Sequence, residues 1–187
     1  MIPIFEQGDG RGIGLGLEKF LERFDEICAQ KTAKDSDKAF GFIFYDFRDE
    51  SIREVLNDQG VFARLDRLAG ENLNLFYLHT GNVRTIRAFN AYFLNVLGIE
   101  ERASLPCMVF FRVHDGKIKD VEVAQLEIPN LDMAFLELYV AIERYRSALC
   151  ASSSTPSHFI RWLKGGAQFI SLEVFRAILR EALDRLP

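Results

Sequence analysis

The sequence predicts a mixed α/β domain, on three observations. Short, nearly continuous apolar runs alternate with amphipathic segments of helical spacing, which implies parallel strands joined by a right-handed helical crossover. A proline opens the third such run, in "ASLPCMVFFRVHDGKI", and an Asp-Gly pair ends it. The segment after that pair, "KIKDVEVAQL", then returns as an antiparallel strand. With 49% apolar residues and 17 phenylalanines among 187 residues, the chain can bury a sizeable core.

Each element follows from its own residues. "LGLEKFLERFDEICAQ" puts Leu17, Phe20, Leu21, Phe24, Ile27 and Cys28 on one stripe at helical spacing. "AFGFIFYDF" (Ala39–Phe47) is too short for a typical helix and fits a strand buried on both faces. Ser51-Ile-Arg-Glu54 has the form of a capping box, so a helix is expected from Ser51 to Ala69, stopped at Gly70 and kinked or broken at Gly60. Asn72–Thr80 reads as a second strand. "IRAFNAYFLNVLG" reads as a helix that ends at Gly98. Pro106 lacks an N–H and suits the first position of a strand or an edge.

Cys107–Val113 is the strand that Pro106 opens, and Asp115-Gly116 meets the residue demand of a two-residue hairpin. Ile118, Val121, Val123 and Leu126 break alternation, which predicts a bulge. "LDMAFLELYVAIERYRSAL" is a long helix and "CASSSTPS" a linker. Two helices are expected after it, Ser157–Lys164 and Ser171–Leu186.

Composition narrows the function classes. Net charge is −4, with 27 acids and 23 bases mixed along the chain, so no broad nucleic-acid or membrane surface is expected. Cys28, Cys107 and Cys150 are far apart, without the spacing of a redox motif or zinc knuckle, and a reduced cytoplasmic setting is expected. The start "MIPIFEQGDG" lacks the form of a signal peptide, and no apolar run approaches the roughly 18 residues that span a bilayer. His79, His114 and His158 form no ligand pattern, and neither a metal site nor a cofactor is expected.

Two segments carry a family resemblance. "GIEERASLPCMVFFRVHDGKI" is similar to the glycine–isoleucine, small residue, proline, strand and glycine-hairpin pattern of thioredoxin-like proteins, and "FIFYDFRDES" to their first central strand with its Asp-Phe pair, here Asp46-Phe47. The resemblance spans roughly residues 38–146. It implies a three-layer α/β/α fold with a mixed four-stranded sheet, and a cis bond before Pro106. The domain would then cover 38–149, with a glycine-rich leader and helix in 1–37 and a helical extension in 150–187. In redox-active relatives a Cys-x-x-Cys pair opens the helix after the first strand, where the helix N-terminus favours the thiolate. Here the matching residues are Ile52-Arg53-Glu54-Val55, and Arg48 stands at the family's tryptophan. No cysteine lies between Ala29 and Leu105, so a dithiol oxidoreductase is excluded.

The expected function is therefore a non-redox module that binds another protein or a second copy of itself. Its binding groove would be formed by Arg48, Ser51, Ile52, Arg53, Leu105, Pro106 and Cys107. An alternative is a one-cysteine enzyme, peroxidase-like or glutathione-transferase-like, with Cys107 activated by Arg48, Arg53 or the helix start at Ser51. Against it, cysteine is among the most buried residue types. Asp46 would be a buried acid whose proton-passing role in redox relatives has no thiol to serve. "GDGRGIGLGLE" (Gly8–Glu18) resembles the glycine-rich box of histidine-kinase-type ATPases, yet only seven residues precede it and it reads as a leader.

Overall fold

The computed structural model describes residues 1–5, 15–29, 37–150, 161–164 and 170–184. In chain order these form β1 (Ile2–Phe5), β2 (Leu15–Gly16), α1 (Leu17–Ala29), β3 (Lys38–Phe44), α2 (Glu50–Asn57), α3 (Gln59–Ala69), β4 (Leu73–His79) and α4 (Val83–Val96). After these come β5 (Cys107–His114), β6 (Lys117–Gln125), α5 (Leu131–Cys150), β7 (Arg161–Lys164), β8 (Ile170–Ser171) and α6 (Leu172–Asp184). The described strands make one mixed sheet in the order β2-β1-β4-β3-β5-β6-β7, with β8 also on β6. β1, β4 and β3 run parallel, and β5 and β6 are antiparallel to their neighbours.

The two faces of β3 are packed by different helices, because successive side chains on a strand point opposite ways. Phe40, Phe42 and Phe44 stand on one face. Phe42 meets Phe20 of α1 and Phe93 of α4, and Phe40 meets Phe24 of α1. Phe175 of α6 closes this layer against Phe24, Phe93 and Phe111. On the other face Tyr77 of β4 contacts Phe62 of α3, and its hydroxyl donates to the Leu56 carbonyl of α2 at 3.4 Å. Tyr145 of α5 stacks on Phe110 there, with ring centroids 4.3 Å apart. Gly41 lies on that face, and a Cβ on it would stand 2.5 Å from Leu75 Cδ2 and 3.0 Å from Phe110. The glycine is thus required by the close approach of its neighbours.

Local signals in the sequence explain several boundaries. Asp115 and Gly116 both have positive φ, 47° and 66°, and turn β5 directly into β6. Gly98, at φ 63°, ends α4 with Gly98 N–H donating to the Asn95 carbonyl and Ile99 N–H to that of Leu94; these are the paired bonds of a Schellman cap. Asn82 caps the other end by accepting from Arg84 and Thr85 N–H.

Other expectations are corrected. The sheet is wider than four strands: β1 covers the outer edge of β4, and β7 and β8 cover that of β6. The helix expected at Ser157–Lys164 is replaced, in its described part, by strand β7, whose residues 161–164 pair with Glu122–Gln125. An isolated eight-residue helix is marginal in water, whereas the open edge of β6 offers a ready ladder of backbone partners. The expected last helix begins at Leu172. Ser51 is not the cap of α2; that position is Asp49.

The break in the 51–69 helix falls at Asp58, not Gly60. Asp58 N–H closes α2 on the Glu54 carbonyl, and its Oδ1 accepts from Gly60 and Val61 N–H at 2.8 and 2.9 Å. The bulge lies where Asp120, at φ 52°, and Val121 oppose Phe111 alone. Residues on both sides of 37/38 and 149/150 share one sheet and one core, through β1, α1, β7 and α6. The leader segment 6–14 and the linker 151–160 lie outside the described residues.

Two substitutions test this packing by chemical denaturation. Gly41→Ala is expected to lower stability by about 1–3 kcal/mol, the usual cost of overpacking. Phe175→Ala should cost about 3–5 kcal/mol, a large share of the roughly 5–15 kcal/mol that holds an ordinary domain. A loss below 1 kcal/mol would mean that α6 is not part of the core.

Candidate functional site

The register of β3 brings the candidate residues to one edge of the sheet. Phe44 is opposite Cys107, and Ile43 is beside Tyr77. The turn 45–49, the start of α2 and the residues before Cys107 therefore meet where β3 and β4 end. The carboxyl ends of parallel strands are the usual place for ligand sites in open α/β sheets.

The turn is tied on itself. Asp46 N–H donates to Asp49 Oδ2 at 2.6 Å, Arg48 N–H to Asp46 Oδ1 at 3.1 Å, and Asp49 N–H to the Asp46 carbonyl at 2.9 Å. The Asp49 carboxylate thus points back into the turn and makes no side-chain cap on α2. Burial pushes the Asp49 carboxyl up, the Asp46 N–H opposes that rise, and the Asp46 charge adds to it. Asp46 is part-exposed and pairs with Arg87 Nε at 3.5 Å, so it is not the deeply buried acid expected from its aromatic neighbours.

Behind the turn, Tyr45 donates to the Leu78 carbonyl at 2.7 Å, and buried Asn90 of α4 donates to the Tyr45 carbonyl at 2.9 Å. These bonds anchor the end of β3. Arg53 lies over the Phe47 ring, 4.2 Å from its centroid, and donates to the Phe47 carbonyl at 3.2 Å. Burial, and then the Arg53 charge, hold the His79 imidazole below its usual value.

The opposite wall is the loop before β5. The Leu105–Pro106 peptide is cis. Gln125 supports the loop from β6: its Oε1 accepts from Ser104 N–H at 3.2 Å, and its Nε2 donates to the Arg102 carbonyl at 3.1 Å. Leu126 N–H donates to the Pro106 carbonyl at 3.1 Å. Leu105 is 37% exposed on this ridge.

Of the residues expected in the groove, Arg48 and Leu105 are exposed and Ser51, Arg53 and Pro106 are half-buried at this edge. Ile52 is fully buried, so its side chain belongs to the core beneath α2. Cys107 is corrected more sharply. It pairs with Phe44, whose ring packs on Phe89 and Phe93 of α4, whereas α2 covers the other face. Cys107 thus shares a face with Phe44 and is turned away from the α2 start that was to activate it. It is fully buried, and burial alone pushes its thiol up to about 12. An activated thiol needs the reverse, a cation or helix terminus that lowers the value.

Phe47, Asp49, His79 and Gln125 were missed as site residues. Phe47 stood in view beside Asp46, and His79 follows Tyr77 at strand spacing. Asp49 and Gln125 carry no signal, because their roles arise from partners that folding brings close. Among the described residues, no group of three His, Cys, Asp or Glu is placed to hold a metal ion. What the edge offers is backbone groups, two guanidinium groups and an aromatic ring, which suits recognition of an extended segment.

Alkylation mapped by mass spectrometry checks the place of Cys107. In the native chain at pH 8 its peptide should stay unlabelled, and denaturant should expose it to full labelling. A native rate midpoint below the free-thiol value of about 8.5 would restore it as a nucleophile. Compared with known proteins, the chain matches no family model, no curated sequence and no solved structure.

Proposed function

We propose that the chain is a non-redox, thioredoxin-like module that binds another protein by pairing an extended segment with Leu105. The observation that carries this reading is the state of the Leu105 backbone. Its N–H and carbonyl have no hydrogen-bond partner among the described residues, while the loop on either side is held by Gln125 and Leu126. A rigidly supported backbone with free groups is what strand addition uses: main-chain bonds give affinity and adjoining side chains give selectivity. Here the adjoining side chains are Leu105 itself, Phe47 and Arg53.

The strand order β1-β4-β3-β5-β6, with the first three parallel, supports the family part of the reading. The absence of cysteine between Ala29 and Leu105 removes dithiol chemistry from this edge. The burial of Cys107 disfavours the one-cysteine alternative.

A random heptapeptide library panned against the full chain tests the proposal. Enriched peptides should shift amide resonances of Phe47–Arg53 and Ala103–Cys107 in NMR titrations. Leu105→Asp and Phe47→Ala should each weaken binding about tenfold or more, the effect of about 1.4 kcal/mol. Enriched peptides that shift only residues elsewhere, or that bind both variants unchanged, would defeat it.

A further inference from the structure

Glu137 of α5 is only 5% exposed, and its Oε2 is buried without a hydrogen-bond partner. The carboxyl accepts from the Glu127 N–H, and among the described residues Glu127 supplies the other charge acting on it. Among the described residues no cation acts on it, neither Arg53 of α2, Arg64 and Arg67 of α3 nor Arg112 of β5. Arg53 of α2 lies over Phe47, Asp66 of α3 pairs with the Met1 amino group, and Arg112 of β5 is held by Asp37 and Asp120. An ionised carboxylate would thus be desolvated, half-satisfied and beside a second carboxylate, an arrangement that disfavours the charge. A neutral carboxyl keeps the Glu127 N–H bond and removes the repulsion.

The segment Glu137 holds is the one that supports the Leu105–Pro106 loop. Glu127 follows Leu126, whose N–H bonds the Pro106 carbonyl, and Gln125, which bonds Ser104 and Arg102.

We propose that Glu137 is a proton-operated latch: neutral, it clasps Glu127 to α5, and ionised, it loosens Glu127 and with it the adjoining Gln125 and Leu126 that support the loop of Leu105 and Pro106. The latch does not depend on what the groove binds.

Its direction with pH follows from the shift. Burial pushes the Glu137 carboxyl up, the Glu127 N–H opposes this, and the Glu127 charge adds to it. A carboxyl raised in the folded state binds more protons folded than unfolded. Its neutral form is fully stabilising below the unfolded value of about 4.3, and stability is lost as pH rises through the folded value.

Amide hydrogen exchange of the full chain, expressed as protection factors, reads the latch. From pH 4 to pH 8, protection of the Leu126 and Ser104 amides should fall by nearly tenfold for each unit by which the carboxyl is raised. In Glu137→Gln it should not fall. The melting midpoint of that variant should exceed the wild type at pH 8 by about 3–5 °C for each such unit and match it near pH 4. Carbon-13 NMR titration of the wild-type Glu137 carboxyl gives a measurement that needs no variant. A midpoint above the ordinary glutamate range supports the latch, and one within that range overturns it. Parallel protection profiles for wild type and Glu137→Gln also overturn it. So does recovery of wild-type protection at pH 8 on adding calcium or manganese alone, which would make the carboxylate pair a cation site.

Discussion

The pairing of β3 with β5 is the constraint on which the rest of the molecule depends. It is antiparallel and runs without a break from Lys38↔Val113 to Phe44↔Cys107. A slip of one residue would turn every side chain of one strand to the other face. Phe40, Phe42 and Phe44 would then leave the aromatic layer formed with α1, α4 and α6. Gly41 would no longer leave room where Phe110 and Leu75 crowd in. The same register delivers Pro106 to the turn at 45–49 and sends the Cys107 side chain to the opposite face. One pairing thus builds the core and also decides which side chains the candidate edge presents.

The polar groups at that edge are mostly answered from within. The Asp46–Asp49 turn satisfies the Asp46, Arg48 and Asp49 N–H groups, Asn90 and Tyr45 tie it to α4 and β4, and Gln125 and Leu126 hold the facing loop. Leu105, exposed on the ridge between these supports, keeps its N–H and carbonyl without a partner among the described residues. That contrast gives Leu105 its weight. The orphan oxygen of Glu137 is a different exception, a buried side-chain atom placed where the bonding network of the loop meets α5.

Much of the local architecture could be read from neighbours in sequence. The Asp115-Gly116 turn, the Gly98 stop, the stripe of α1 and the doubly buried β3 each depend on residues a few positions apart. The candidate edge was legible only in part. Arg48, Ser51, Arg53, Leu105 and Pro106 do reach it, while Ile52 and Cys107 turn inward, because neither strand parity nor helix facing can be assigned before the strands pair. Asp49 took the cap position expected of Ser51 because the turn before α2 draws on both aspartates.

By itself the sequence determined the central strands, the helices around them and the tight turn between β5 and β6, since propensity, periodicity and turn chemistry act over a few residues. Only the tertiary structure decided that β1 and β7 widen the sheet, that Asp58 divides the second helical stretch, and that the thiol at 107 is sealed against α4. Those outcomes depend on backbone groups at sheet edges and on the parity of paired strands, which exist only when distant parts of the chain meet.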